Sequence, residues 1–148
     1  MSLAWTVMQR GNAPGLLCGY AALPRFDMPD GVIRILEFSD APPGVEFRRW
    51  FQISGVPEGM VRGDHAHRTM HEVLISTRGS FRISVEAPDG ECAELPVSPE
   101  GPAVWIPPRR WVRVVGLAPH HIVTAFVSTP YDPSDYIHDR AEFCALAP

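Results

Sequence analysis

Hydrophobic and polar residues alternate most cleanly along Phe81-Arg82-Ile83-Ser84-Val85-Glu86. A period of two predicts a half-buried strand with Phe81, Ile83 and Val85 facing inward. Comparable runs recur at Val32 to Phe38, Glu46 to Ile53, Val73 to Ile75, Cys92 to Val97, Ala103 to Ile106, Trp111 to Val115 and His121 to Ser128. Turn signals separate several of them: Asp30-Gly31, Pro42-Pro43, Arg78-Gly79 and Asp89-Gly90, the last a hairpin signature. Two stretches break the pattern. The first 30 residues carry scattered Gly and Pro with little periodicity, whereas Pro133 to Leu146 reads as helix. The expected organisation is an irregular N-terminal arm over 1–22 and one domain over 23–148.

About eight short strands in one domain predict an all-β jelly-roll or barrel with a short C-terminal helix, because closure disposes of exposed edges. An immunoglobulin-type sandwich competes, but Cys18, Cys92 and Cys144 do not supply its disulfide pair. Composition supports short strands: 16 Pro and 12 Gly in 148 residues leave no room for long helices. The cysteines are odd in number and form no C-x-x-C, which suits buried reduced thiols in a cytoplasmic protein. Met1 to Met8 lacks a basic n-region, and no segment approaches the length of a membrane span. All 13 basic residues are Arg, which excludes Schiff-base chemistry on lysine, and a net charge of -4 argues against nucleic acid as a partner.

Candidate chemistry concentrates between Gly59 and Gly79. His65 and His67 are two apart, so on a strand both imidazoles share a face, and Glu72 can reach the same point after a turn. The spacing Gly59, His65-Ala66-His67, Glu72, Gly79 resembles the first cupin motif, in which two His and a Glu bind a divalent metal. A second cupin motif is only partly matched. Gly101 and Pro107 fit, but Arg109 stands at the usual Gly, Val112 at the fourth ligand and Gly116 at the usual Asn.

A closer resemblance lies in Arg62-Gly63-Asp64-His65-Ala66-His67-Arg68 together with the tail Ser128-Thr129-Pro130-Tyr131-Asp132-Pro133-Ser134-Asp135-Tyr136-Ile137-His138-Asp139 and Glu142-Phe143. These residues resemble the cupin-type nucleotide-sugar 3,4-ketoisomerases of deoxysugar and polysaccharide biosynthesis, over most of the chain from about Leu23. The resemblance implies a dimeric double-stranded β-helix, a dTDP-4-keto-6-deoxyhexose as substrate, no metal cofactor, and His65 and His67 as catalytic acid and base. Histidine suits both roles near neutral pH. For the diphosphate, Arg62 is the first candidate, with Arg49 and Arg110 behind it, since guanidinium binds phosphate oxygens bidentately. Trp111 at the rim is a candidate stacking surface, and Glu72 is either a ligand or a partner that orients an imidazole.

The chain also departs from that family. Arg49-Trp50-Phe51-Gln52 stands where relatives read Arg-x-Tyr-Tyr, Trp111-Val112 where they read Trp-His, and Glu72 where they often carry Gln. Three readings therefore compete: a ketoisomerase using His65 and His67; a cupin holding Fe, Mn, Ni or Zn on His65, His67 and Glu72; and a nucleotide-sugar-binding cupin without turnover. His71, His120, His121 and His138 are expected to be structural or at the surface, and Tyr131 and Tyr136 to pack the tail on the barrel.

Overall fold

The alternation along Phe81–Glu86 becomes a strand with Phe81, Ile83 and Val85 fully buried, and the rest of the barrel is built around it. A computed structural model describes residues 3–147; Met1 and Ser2 of the leading segment, and Pro148, lie outside the described residues. Thirteen strands follow in order: β1 (Thr6–Gln9), β2 (Leu16–Ala21), β3 (Arg25–Met28), β4 (Gly31–Arg34), β5 (Arg49–Ile53), β6 (Val61–His67), β7 (Glu72–Arg78), β8 (Phe81–Glu86), β9 (Cys92–Val97), β10 (Ala103–Ile106), β11 (Trp111–Gly116), β12 (Ile122–Val127) and β13 (Tyr136–Ile137). One helix, α1 (Arg140–Cys144), comes last. A six-stranded sheet ordered β1-β2-β10-β7-β12-β5 packs on a five-stranded sheet ordered β13-β6-β11-β8-β9, and β3-β4 forms a separate hairpin. Every pairing is antiparallel, as an all-β cupin jelly roll requires.

The inner faces meet in one apolar core, where Phe81, Ile83, Val85, Val112 and Val114 face Leu74, Val104, Val123, Ala125 and Val127. A second cluster, Phe47, Val73, Ala103 and Trp105, covers the outer face of the larger sheet. A third, Ala66, Trp111, Ile137 and Phe143, fastens the tail to the back of β6 and β11. Fully burying side chains of this size contributes roughly 1.5–3 kcal/mol each.

Four expectations are corrected. The arm expected to be irregular is ordered: β1 and β2 pair as a hairpin, and β2 extends the large sheet through β10. The run Val32 to Phe38 is strand only to Arg34, then passes into a 3-10 turn at Phe38–Asp40. The tail is not one helix but a 3-10 turn at Pro133–Asp135, the short strand β13 and the five-residue α1. Only Cys18 is buried; Cys92 and Cys144 are exposed. Gly116, where Asn was expected, has a packing cause: a Cβ there would lie 2.1 Å from the His121 ring. His121 is structural, buried with Nδ1 3.1 Å from the Ala118 carbonyl.

Candidate active site

β6 carries the motif and contains a bulge. Val112 on β11 pairs with His65, Arg113 with Gly63 and Val114 with Arg62, so β6 has one residue more than its partner over this stretch. The surplus is taken up at Gly63 and Asp64, whose φ angles are 78° and 59°. In an unbroken strand Arg62 and His65, three apart, would point to opposite faces; the bulge brings Arg62 back to the face of His65. Gly63 is required there, because a Cβ would come within 2.8 Å of the Val112 carbonyl oxygen. Asp64 is braced in the left-handed region, its Oδ1 accepting from Trp111 Nε1 at 3.1 Å and Arg113 Nε at 2.8 Å.

The inward face of β6 forms one wall of a cavity of about 470 Å³, a size suited to a small-molecule ligand. Phe51, Ile53, Leu74, Val112, Val114 and Val123 supply apolar lining, and Arg62, His65, Glu72 and Tyr136 supply polar groups. His65 Nδ1 lies 2.9 Å from the Gly63 carbonyl, which can only accept, so that nitrogen carries the proton in the neutral ring. Its Nε2 is then a lone pair, 3.1 Å from His67 Nε2, which donates to it. Burial pushes His65 below the usual histidine range, and the neighbouring His67 acts in the same direction. His67 sits between carboxylates: Asp135 Oδ2 is 3.5 Å from Nδ1 and Glu72 Oε1 is 3.6 Å from Nε2. A proton on either nitrogen of His67 therefore faces a negative charge. The pair thus joins a neutral, basic imidazole to one placed to hold and give a proton.

His65, His67 and Glu72 are the residues that would hold a divalent metal, and Val112 puts an apolar wall at the fourth-ligand position.

Of the residues expected from sequence, the cavity gathers His65, Glu72 and Arg62, with His67 directly behind His65. Arg62 is exposed at its edge. Arg49 is half-buried and does not line the cavity; its guanidinium lies 5.3 Å from the Phe51 ring centre and 5.7 Å from that of Tyr131. Arg110 is elsewhere. Its guanidinium donates to the carbonyls of Leu16, Leu17 and Arg109, pinning β2 to the β10–β11 turn. Trp111 packs rather than offering a stacking surface: it is buried on the outer face of β11, against Phe143 at 5.4 Å and under Arg140 at 4.7 Å.

Sequence reasoning missed the contribution of the tail. Tyr136 pairs with His67 across β13 and β6, with its ring 4.4 Å from the His67 ring and 5.0 Å from that of His65. His138 stacks on Tyr136 at 5.6 Å and lies 5.8 Å from His65. Asp135 fastens the tail: it accepts from Thr69 N at 2.9 Å, Thr69 Oγ1 at 2.7 Å and Met70 N at 3.2 Å. The signal was present in Asp135-Tyr136-Ile137, but a helical reading hid the extended geometry that turns Tyr136 inward.

The family model described as FdtA, WxcM-like, C-terminal matches residues 18–147. Among solved structures, the chain resembles the sugar 3,4-ketoisomerase QdtA from Thermoanaerobacterium thermosaccharolyticum in complex with TDP, at 23% identity and TM-score 0.79, covering 86% of this chain and 92% of that one. The WlaRB TDP-quinovose 3,4-ketoisomerase from Campylobacter jejuni is similar at 23% identity and TM-score 0.78, covering 86% and 96%. A 3,4-ketoisomerase from Helicobacter canadensis is similar at 21% identity and TM-score 0.78, covering 86% and 94%. No curated protein sequence matches the chain.

Proposed function

The chain belongs to the family of FdtA and WxcM-like C-terminal domains, and from that premise we propose that it is a nucleotide-sugar 3,4-ketoisomerase, moving a ketone from C4 to C3 of a dTDP-6-deoxyhexose. The observation that carries this reading is the pair of imidazoles, Nε2 to Nε2 at 3.1 Å, with His65 on the wall of an open cavity and His67 directly behind it. His65, held neutral by burial, takes the C3 proton; His67, flanked by Asp135 and Glu72, delivers a proton to C4. Transfer across the short Nε2–Nε2 contact restores the starting state. The oxidation at C3 and the reduction at C4 occur within one molecule, so the reaction needs no external hydride carrier, and we assign no metal to it. Arg62, brought to the cavity edge by the bulge, suits the diphosphate. Three of the similar structures are 3,4-ketoisomerases, one of them in complex with TDP.

We place the enzyme in the cytoplasm, in deoxysugar and polysaccharide biosynthesis, as a homodimer. For the dimer, the support is exposed apolar surface: Phe26 and Ile33, paired on one face of the β3-β4 hairpin, are 48% and 47% exposed, and Val32, Phe38 and Trp50 are exposed as well. Among the described residues no helix is long and apolar enough to cross a membrane.

The test is to incubate the protein with a dTDP-4-keto-6-deoxyhexose in deuterated buffer and follow C3 and C4 by NMR. Exchange at C3 with growth of the 3-keto product is expected. Binding without exchange would mark a binding module, and turnover that appears only after adding Fe, Mn, Ni or Zn would move the histidines to a metal-ligand role.

A further inference from the structure

The cavity holds one phenol, brought in by the tail. Phe51 occupies the cavity side of β5 without a hydroxyl, and Tyr136 is the only hydroxyl-bearing side chain among the residues lining the cavity. Its ring packs against both imidazoles; burial raises its hydroxyl above the usual tyrosine range, and the positive charge of Arg49 nearby acts in the opposite direction. Arg49 is unusual in its own right. Its Nε is buried without a hydrogen-bond partner, no carboxylate lies within ion-pair distance among the described residues, and its guanidinium donates to the Met70 sulfur at 3.6 Å. A half-buried cation left without a fixed anion suits a site where negative charge appears only during a reaction.

Resting on the ketoisomerase reading, we propose that Tyr136 is a catalytic residue that carries the oxygen-side proton, giving it to O4 as the enediol forms and taking one back from O3 as the enediol collapses, with Arg49 stabilising the phenolate between the two steps. The balance closes. In the first step His65 removes the C3 proton, the C–H pair becomes the C3=C4 bond, and the carbonyl pair moves to O4, which takes the Tyr136 proton. In the second step the O3–H proton returns to Tyr136, its pair forms C3=O3, and the C3=C4 pair takes a proton at C4 from His67. One proton has moved from C3 to C4 and one from O3 to O4, and no other reactant is consumed. The histidines serve the carbons and the phenol serves the oxygens, which explains how a chain with Phe51 and Val112 in its cavity still holds a complete set of proton carriers.

Tyr136→Phe keeps the ring against both imidazoles and removes only the hydroxyl. With wild type turning over the dTDP-4-keto-6-deoxyhexose, the variant should lose on the order of 10²–10⁴ in kcat, the usual range for a general acid–base group, and slow C3 deuterium exchange in parallel, with KM within about threefold. A Tyr136→Phe protein that folds, binds TDP and keeps kcat within about threefold of wild type overturns the proposal and leaves the ketoisomerase reading intact. Wild type without C3 exchange overturns both. Should Tyr136→Phe not fold, fluorinated tyrosines at position 136 keep ring and hydroxyl while changing acidity. A kcat that varies severalfold across that series is expected, and a flat series is the overturning result.

Discussion

Two segments meet in the cavity, and they reach it by different physics. β6 brings Arg62, His65 and His67 through local rules: strand periodicity sets the two histidines on one face, and a bulge at Gly63 and Asp64 corrects the phase for Arg62. The tail brings Asp135, Tyr136 and His138 through long-range contacts. It pairs only two residues with β6, and the three bonds to Asp135 together with burial of Ile137 and Phe143 hold it in place. The first segment places chemistry wherever its strand goes. The second depends on docking, so its side chains are as well placed as its few anchors are strong.

The largest effect expected is on the β6 side. His65→Gln removes the basic nitrogen while keeping a polar side chain, and should lower kcat by on the order of 10²–10⁴ with the melting temperature little changed. Steady-state kinetics beside a thermal melt check this; a variant retaining a tenth of wild-type turnover would shift the base to another group. On the tail side the prediction inverts, with stability and activity falling together. Asp135→Ala removes the acceptor of three bonds, two of them from backbone N–H groups, and should cost about 2–3 kcal/mol. Turnover should fall more than tenfold, because the segment that carries Tyr136 loses its anchor. Denaturant melts and kinetics on one sample measure both, and loss of activity at unchanged stability would mean that Asp135 acts on His67 alone.

The same contrast explains which parts of the molecule were legible in the sequence. The strands from β7 to β12 fell close to their expected bounds because alternation and turn residues are local signals, and β8 matched at both ends. The histidine pair was legible for the same reason. Residues 3–22 were not, because β1 and β2 are short and owe their strand state to pairing with each other and with β10 rather than to periodicity. The inward turn of Tyr136 was not legible because its position depends on Asp135 meeting Thr69, 66 residues away along the chain, whereas His138 is exposed as expected. Arg110 was misjudged because guanidinium serves backbone carbonyls as readily as phosphates, and only the fold shows which are in reach.

Arg62 and Arg110 turn that last point into a measurement of intermediate size. Arg62→Ala should weaken binding of a dTDP-sugar about tenfold, in line with the loss of one charge-assisted contact of about 1.5 kcal/mol. Arg110→Ala should leave affinity nearly unchanged and instead lower stability, since Leu16 and Leu17 lose their donors. Titration calorimetry separates the two outcomes, and weaker binding by Arg110→Ala than by Arg62→Ala would return Arg110 to the ligand site.

The smallest effect concerns pH, and it separates an imidazole of the cavity from one outside it. Burial holds both His65 and His71 below the usual histidine value. In the unfolded chain each has a pKa near 6.5, so between that value and the depressed folded one the unfolded state binds more protons, and stability rises with pH. The contribution is complete above about pH 6.5 and is lost as pH falls through the folded values. For His71 the structural cause is visible: Trp105 Nε1 donates to His71 Nδ1 at 3.1 Å, which requires a free lone pair there. The protein should therefore melt a few degrees lower at pH 5.5 than at pH 7.5, and His71→Gln should flatten part of that slope without touching turnover. His65→Gln should flatten another part and abolish turnover as well. The activity of the wild type carries the same sign, with its acid limb lying below 6.5 because a protonated His65 has no lone pair for the C3 proton. A melting temperature that rises on acidification over this range would mean that the two imidazoles are held charged rather than neutral, and the assignment of His65 as base would fall with it.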